Sequence, residues 1–251
     1  MKYMEVGDVI PAEGLRIILL RGFPSPWGQA AKAMIEFKSL DFKVGALQAG
    51  GENVAVKGWS GINSAPVVAW NDETPLNRWD DILLLLERLA PDRPLLPEDL
   101  SLRTECLGLS YALCGELGFG WNRRLDGVHR RVQAGGEAGL IGDKYGYNQA
   151  DGERAAQRSI AFLQYLAKRL QSQAEQGSHY LVGSSVTAAD FYWAAFSNLV
   201  VIQSPEDCPL DPSIRPIFEQ VDPTVSAAVE PIVMAHRDRI MKDFFKLPME
   251  L

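Results

Sequence analysis

Along the first ninety residues, two kinds of apolar run take turns. "LRIILLR" (15–21) is apolar with little interruption, as expected of a buried strand. "PWGQAAKAMIEFKSL" (26–40) instead carries Ala30, Met34 and Phe37 on one helical face. "FKVGALQ" (42–48) is strand-like with a glycine interruption, and "AGGENVAVKGWSGIN" (49–63) is a glycine-rich connection with no clear period. "APVVAW" (65–70) predicts another strand, closed by the turn residues "NDETP" (71–75). "NRWDDILLLLERL" (77–89) puts Ile82, Leu85, Leu86 and Leu89 on one face, with Asn77 as N-cap and Asp80 three residues on. This order of elements predicts a small mixed sheet with helices packed on it.

The pattern changes at "APDRPLLPED" (90–99), where three prolines in ten residues cannot continue a helix. Beyond it the signals are almost all helical: 98–118, roughly 121–134, a long amphipathic stretch at 151–176 with Ile160, Leu163, Ala167 and Leu170 in register, then 187–201 and 223–245. No internal repeat or low-complexity segment is visible. The expected organisation is an extension (1–14), an α/β part (15–90), a linker (91–97) and an all-helical part (98–251). "VTAADF" (186–191) is the cleanest local motif. Thr187 as N-cap and Asp190 at N3 make a capping box, and Val186 and Phe191 a hydrophobic staple; the role expected of them is structural.

Composition excludes several classes. The 251 residues are 47% apolar and 23% charged, ordinary for a globular protein. A net charge of −7 with no Lys/Arg run argues against nucleic acid as partner. The longest apolar runs, "IILL" and "ILLLL", are too short to span a bilayer, and the opening "MKYMEVGDVIPAEG" has no signal-peptide core, so the expected location is cytoplasmic. Cys106, Cys114 and Cys208 lack zinc or redox spacing and read as buried small hydrophobes or spare thiols. His129, His179 and His236 occupy no recognisable base motif, and no metal site is expected.

The candidate chemistry lies at "GFPSPWGQ" (22–29), where the first strand passes into the first helix. Ser25 followed by Pro26 is a helix start: a cap oxygen, expected to accept from the N–H of Trp27 or Gly28, then proline at N1. The hydroxyl proton stays free to donate, so Ser25 is either a cap alone or a cap that also meets an anion. With Ser at 25 and Gly at 28, a two-cysteine redox mechanism is excluded at this motif.

Taken together, the α/β part, the proline linker, the helical part and "YLVGSSVTAADFYWAAF" (180–196) resemble the cytosolic glutathione transferase superfamily, over about residues 15–245. "SPWGQAAK" resembles the helix start of its tau and omega classes, and "SAPVV" (64–68) its cis-proline strand. The chain looks like an atypical, bacterial-looking member. The resemblance implies a thioredoxin-like domain followed by an all-helical domain, with glutathione as cosubstrate, a small electrophile as second substrate, and a homodimer. It implies that Ser25, at the start of the helix with Pro26 and Trp27, donates to the glutathione thiolate. It further implies that Pro66 is cis, against an ordinary trans proline opening a strand, and that the Ala65 main chain pairs with the cysteinyl part. The family's Glu/Gln-Ser pair at the next helix start is missing; Asn77 and Arg78, or Arg78 and Trp79, stand there. Arg78 is the candidate for the γ-glutamyl carboxylate, with Asp80 or Asp81 near the amine. Lys57 and Asn63 are the candidates for the glycyl carboxylate. Tyr111, Cys114, Phe119 and Trp121 are either liners of the electrophile pocket or plain helical core. The alternative to an enzyme is a non-catalytic binding or regulatory scaffold on the same fold.

Overall fold

The computed structural model describes residues 2–251. They divide into two compact units: residues up to Leu95 together with Gln203–Asp211 and Met241–Leu251, and Leu96–Ile202 together with Pro212–Ile240. The first division falls inside the proline-rich 91–97 stretch. The two later segments, which the sequence pattern groups with the helical part, group here with the first unit.

The first unit runs α1 (Val6–Val9), β1 (Leu15–Leu20), α2 (Pro26–Phe37), β2 (Phe42–Leu47), α3 (Val54–Ser60), β3 (Val67–Trp70) and α4 (Trp79–Leu89). The sheet order is β2-β1-β3, with β1 parallel to β2 and antiparallel to β3. This is the mixed sheet that the pattern predicts. β1 is central, and its residues from Leu15 to Leu19 are all buried, which is why its apolar run shows so little alternation. Beyond β3 a single antiparallel bridge, Val68 to Leu76, stands where a fourth strand would begin.

Two expectations change. The 49–63 connection is not merely a loop: α3 forms there, less than two turns long and therefore without a readable period. One buried face suffices for it, since Val56 packs in a core with Val9, Ile18, Leu47 and Val67. The 1–14 extension is part of this unit too. Met4 bridges Gly45, and Val9 is fully buried. The glycine interruption of β2 now has a cause, because a Cβ at Gly45 would come within 2.7 Å of Ile18 Cδ1 and 3.4 Å of Val9 Cγ2. The linker is pinned at its start. The Lys38 ammonium meets Glu87 at 2.8 Å and donates to the main-chain oxygens of Ala90 (2.9 Å) and Arg93 (2.7 Å), which uses its three protons.

The second unit contains α5 (Leu100–Cys114), α6 (Phe119–Gln133), α7 (Gly139–Lys144), α8 (Gln149–Glu175), α9 (Ala188–Phe196) with a 3₁₀ turn at Ser197–Leu199, α10 (Arg215–Glu219), α11 (Pro223–Ala227) and most of α12 (Pro231–Phe244). The 223–245 stretch is two helices rather than one. Pro231 cannot donate within a helix, so α11 ends at Ala227 and α12 restarts with proline in its first turn. The short α7 and α10 carry no pattern long enough to predict.

Every residue of α9 is buried, and its capping box forms as expected. Asp190 does more than the motif requires. Its carboxylate is fully buried and accepts from four donors: the Thr187 N–H (2.8 Å), the Thr187 hydroxyl (2.9 Å), the Leu181 N–H (2.8 Å) and His236 Nε2 (2.8 Å). Thr187→Ala should cost about 1 kcal/mol, the ordinary value of a cap. Asp190→Ala strands several buried donors and should cost about 3–5 kcal/mol, the range for removing one partner of a buried pair. Denaturant midpoints of the two variants check this; equal losses would mean that Asp190 is only a cap residue.

Candidate functional site

The site is assembled by the register of the sheet. Ile18 of β1 faces Val67 of β3 across the antiparallel pair. The chain leaving β1 therefore emerges at the edge where β3 begins, and Ser25 lies on that exit while Ala65 and Pro66 lie on that entrance. The Val68–Leu76 bridge continues the same count, placing Arg78 level with Pro66. Ser25, Ala65, Pro66, Asn77 and Arg78 are thus brought to one edge of the first unit, with Pro26, Trp27 and Trp79 beside them in the chain.

Ser25 is half-buried at the N-cap of α2. Its carbonyl accepts from the Gln29 N–H at 2.8 Å, and its own N–H donates to the Phe23 oxygen at 2.8 Å. Its hydroxyl does not accept from a helix N–H, contrary to the sequence expectation. Backbone angle does not account for the difference, since Asp99 (φ −59°, ψ 126°) and Asp222 (φ −56°, ψ 130°) cap their helices from nearly the angles of Ser25 (φ −59°, ψ 114°). The side-chain rotamer decides it, leaving the serine hydroxyl to another use. Gly28 lets the first turn come close. A Cβ there would lie 3.1 Å from Leu19 Cδ2 and 3.9 Å from Ser25 Oγ. The result is a hydroxyl at the positive end of a twelve-residue helix whose donor and acceptor sites are not spent on capping.

The Ala65–Pro66 peptide is cis. Among the described residues nothing pairs with the Ala65 N–H or C=O, so a strand-like partner can be added there. Asn77 is not the N-cap of α4. Its side-chain amide donates to the Pro66 oxygen at 2.5 Å and reaches the Ser64 oxygen at 3.5 Å, and this use leaves Arg78 at the cap position. The Arg78 side chain is 71% exposed, and its guanidinium grips Asp80 with bonds of 2.7 and 3.2 Å and lies 3.5 Å from Asp81. Partial burial pushes the Asp80 carboxyl up, but the Arg78 bond, the N–H groups of the helix start and the Arg78 charge together hold it below the usual range. Any anion recruited by Arg78 therefore competes with two carboxylates already present.

The remaining candidates are not brought to this edge by the register. Lys57 is exposed on α3, in a shallow groove with Gly51, Glu52 and Asn63. Tyr111, Cys114, Phe119 and Trp121 belong to the second unit and do not form one surface. Tyr111 is exposed, but Cys114 and Phe119 are interior. The Phe119 ring packs on Phe162 and Trp193, so it is helical core rather than pocket lining. Trp121 donates its indole N–H to the Tyr145 oxygen at 2.9 Å. All three cysteines are buried, as expected. The His236–Asp190 pair has no signal in the sequence, since 46 residues separate its members. Among the described residues no cluster of His, Cys, Asp and Glu could hold a metal, and no helix is long and apolar enough to cross a membrane.

No family model and no curated protein matches this chain. Solved structures do. The chain is similar to a glutathione S-transferase from Methylobacterium radiotolerans, solved in complex with glutathione sulfonate, at 18% identity and a TM-score of 0.64, with 92% of each chain covered. A glutathione S-transferase from Xanthobacter autotrophicus matches at 20% identity and 0.59, over 94% of this chain and 98% of the other. A rice enzyme in complex with glutathione matches at 15% and 0.60, over 94% and 93%. At these identities the likeness is one of fold.

Two outcomes test the site as built. Ser25→Ala should change folding stability by less than about 0.5 kcal/mol, because no capping bond is lost; a loss near 1 kcal/mol, the usual value of a cap, would return the hydroxyl to the helix end. Because folding lowers the Asp80 pKa, the stability it contributes is complete above the unfolded value, about 3.9, and is lost as pH falls through the folded value. Asp80→Asn should therefore flatten the acid limb of stability against pH, and an unchanged limb would show that Arg78 does not hold this carboxylate in solution.

Proposed function

We propose that this chain, whose fold is that of the cytosolic glutathione transferases, binds glutathione at the sheet edge and stabilises its thiolate for attack on a small, apolar electrophile. The observation that carries the reading is the Ser25 hydroxyl. It belongs to a half-buried residue at the start of α2, makes no capping bond, and lies at the same edge as the unpaired main chain of Ala65.

The chemistry follows from the thiol. A free thiol has a pKa of about 8.5, so only a few per cent is nucleophilic at neutral pH. Lowering it by about two units takes roughly 2.7 kcal/mol of preference for the anion, which one hydroxyl donor and one helix end supply between them. In the proposed pose the cysteinyl main chain pairs with the Ala65 N–H and C=O. Pro26 and Trp27 shape the wall, and Trp79 flanks the γ-glutamyl end. There Arg78 exchanges part of its contact with Asp80 and Asp81 for the ligand's carboxylate, leaving those carboxylates to the amine. Lys57 and Asn63 are the proposed partners of the glycyl carboxylate. A homodimer in the cytoplasm, serving conjugation or detoxification, is the setting this reading entails.

A second reading, a non-catalytic scaffold on the same fold, is favoured by one observation: the Arg78 charge is already bound by Asp80 at 2.7 Å. The experiment that separates them is retention on immobilised glutathione with release by free glutathione, followed by thiolate absorbance against pH for wild type and Ser25→Gly. Binding with a thiol pKa raised in the variant is expected. Turnover should fall by about one to two decades near neutral pH, the equivalent of a lost charge-assisted bond of about 1.5–3 kcal/mol, with affinity little changed. Binding without any difference between the two proteins supports the scaffold, and no retention removes both glutathione readings.

A further inference from the structure

α2 packs against β1 and α4, and chain from residues 244–250 is attached along it. Lys32 is the centre of this attachment. Its side chain is only 3% exposed, and its ammonium lies 3.0 Å from Glu250 Oε2 and 3.4 Å from Glu36 Oε1. Lys246 lies 3.1 Å from the same Glu36 oxygen, so four charges of alternating sign run Lys246, Glu36, Lys32, Glu250. One turn closer to Ser25, the Gln29 side chain donates to the Glu250 main-chain oxygen at 3.5 Å. At the other end of α2, Phe37 meets Phe244 edge-on, with ring centroids 5.8 Å apart. Met249 is buried, and its N–H donates to the Asp207 oxygen at 2.7 Å. These attachments run from the first turn of α2 to its last.

We propose that residues 245–250 form a strap that sets the pose of α2, with Lys32 as the positioning residue through which the strap acts on Ser25. A nearly buried cation constrains geometry because each carboxylate withdrawn from it leaves charge uncompensated in a poorly solvated place. Burial pulls the Lys32 pKa down, the Glu36 carboxylate opposes this, and nearby Lys246 adds to the lowering, while the contact with Glu250 stands on its 3.0 Å geometry. Ser25 is the N-cap of the same rigid element. A small rotation of α2 moves its hydroxyl relative to Ala65, and a displacement of about 1 Å is enough to cost a large factor in rate. The chemical consequence rests on the role proposed above for Ser25, whereas the mechanical one stands without it.

The test uses the full chain and the variants Glu250→Gln, Lys32→Met and Lys32→Arg. Glu250 is on the solvent side of the pair, so Glu250→Gln keeps the shape of the strap and removes its charge. Amide exchange at residues 29–33 should then be about tenfold faster, equivalent to about 1.4 kcal/mol of local opening, with α8 unchanged as the internal reference. Raising salt should narrow the difference between wild type and variant, because the Lys32–Glu250 pair is partly exposed. With glutathione bound, its thiol pKa should rise in Glu250→Gln and Lys32→Met and return towards the wild-type value in Lys32→Arg. It should rise no further when Glu250→Gln is added to Ser25→Gly. Unchanged exchange in α2 overturns the strap. A thiol shift that simply adds to that of Ser25→Gly overturns transmission through Ser25, since coupled residues do not add. Failure of wild type to bind glutathione overturns the role of Ser25 and the chemical half of the inference, and the exchange experiment still decides the mechanical half.

Discussion

Ile18 faces Val67 across the antiparallel pair of β1 and β3, and the candidate site depends on that register. β1 ends and β3 begins at the same edge, so a residue five places beyond the close of one strand and a dipeptide just before the other are brought to that edge. A slip of one residue would turn the fully buried β1 side chains to the opposite face. Leu15, Ile17, Ile18 and Leu19 are close-packed on both faces, none more than 2% exposed, so a slip would force both faces to repack. The edge at which a polar hydroxyl emerges is thereby set by the packing of apolar side chains along β1. The Asn77 amide extends the same register to the start of α4 by holding the Pro66 carbonyl.

Much of this is legible in the sequence because it is local. The alternation of strand and helix, the proline-marked division, the placement of α4, α8 and α9, and the capping box all follow from spacing within a dozen residues. Short or broken elements escaped. α3 has seven residues and one buried valine, too few for a period, and a proline inside 223–245 marks a break that the helical composition around it conceals. The site was legible in residue identity and less so in detail. Ser25 stands at the helix start as its Ser-Pro pair indicates, yet its hydroxyl is not used as a cap, because the side-chain rotamer decides that and the sequence does not state it. Phe119 and Cys114 show the converse limit. An aromatic and a thiol on a helix look alike whether they line a cleft or fill a core, and only burial separates them.

The polar interactions that matter most in each unit are long-range and buried. In the second unit one carboxylate, Asp190, gathers a hydroxyl, two main-chain N–H groups and an imidazole from three stretches of chain. In the first, the Lys38 ammonium gathers Glu87 and two carbonyls at the end of α4. Buried charges with fully occupied partners add little net stability over apolar replacements, but they penalise every arrangement in which the partners are not met. Both therefore act as checks on correct assembly more than as sources of free energy.

The first unit is discontinuous, and this sets an order on its completion during synthesis. Chains emerge from the ribosome with the N-terminal residues first, at a rate that lets early domains fold before later ones exist. When residues up to Leu95 have emerged, β1, β2 and β3 can pair, but Lys32 lacks Glu250, Gln29 lacks the Glu250 carbonyl and Phe37 lacks the Phe244 ring. These partners arrive only with residues 244–250, after the entire second unit has been made. A nascent chain must hold α2 without these partners through that interval, so α2 is the part of this protein on which a chaperone, or an encounter with another unfinished chain, has the longest time to act.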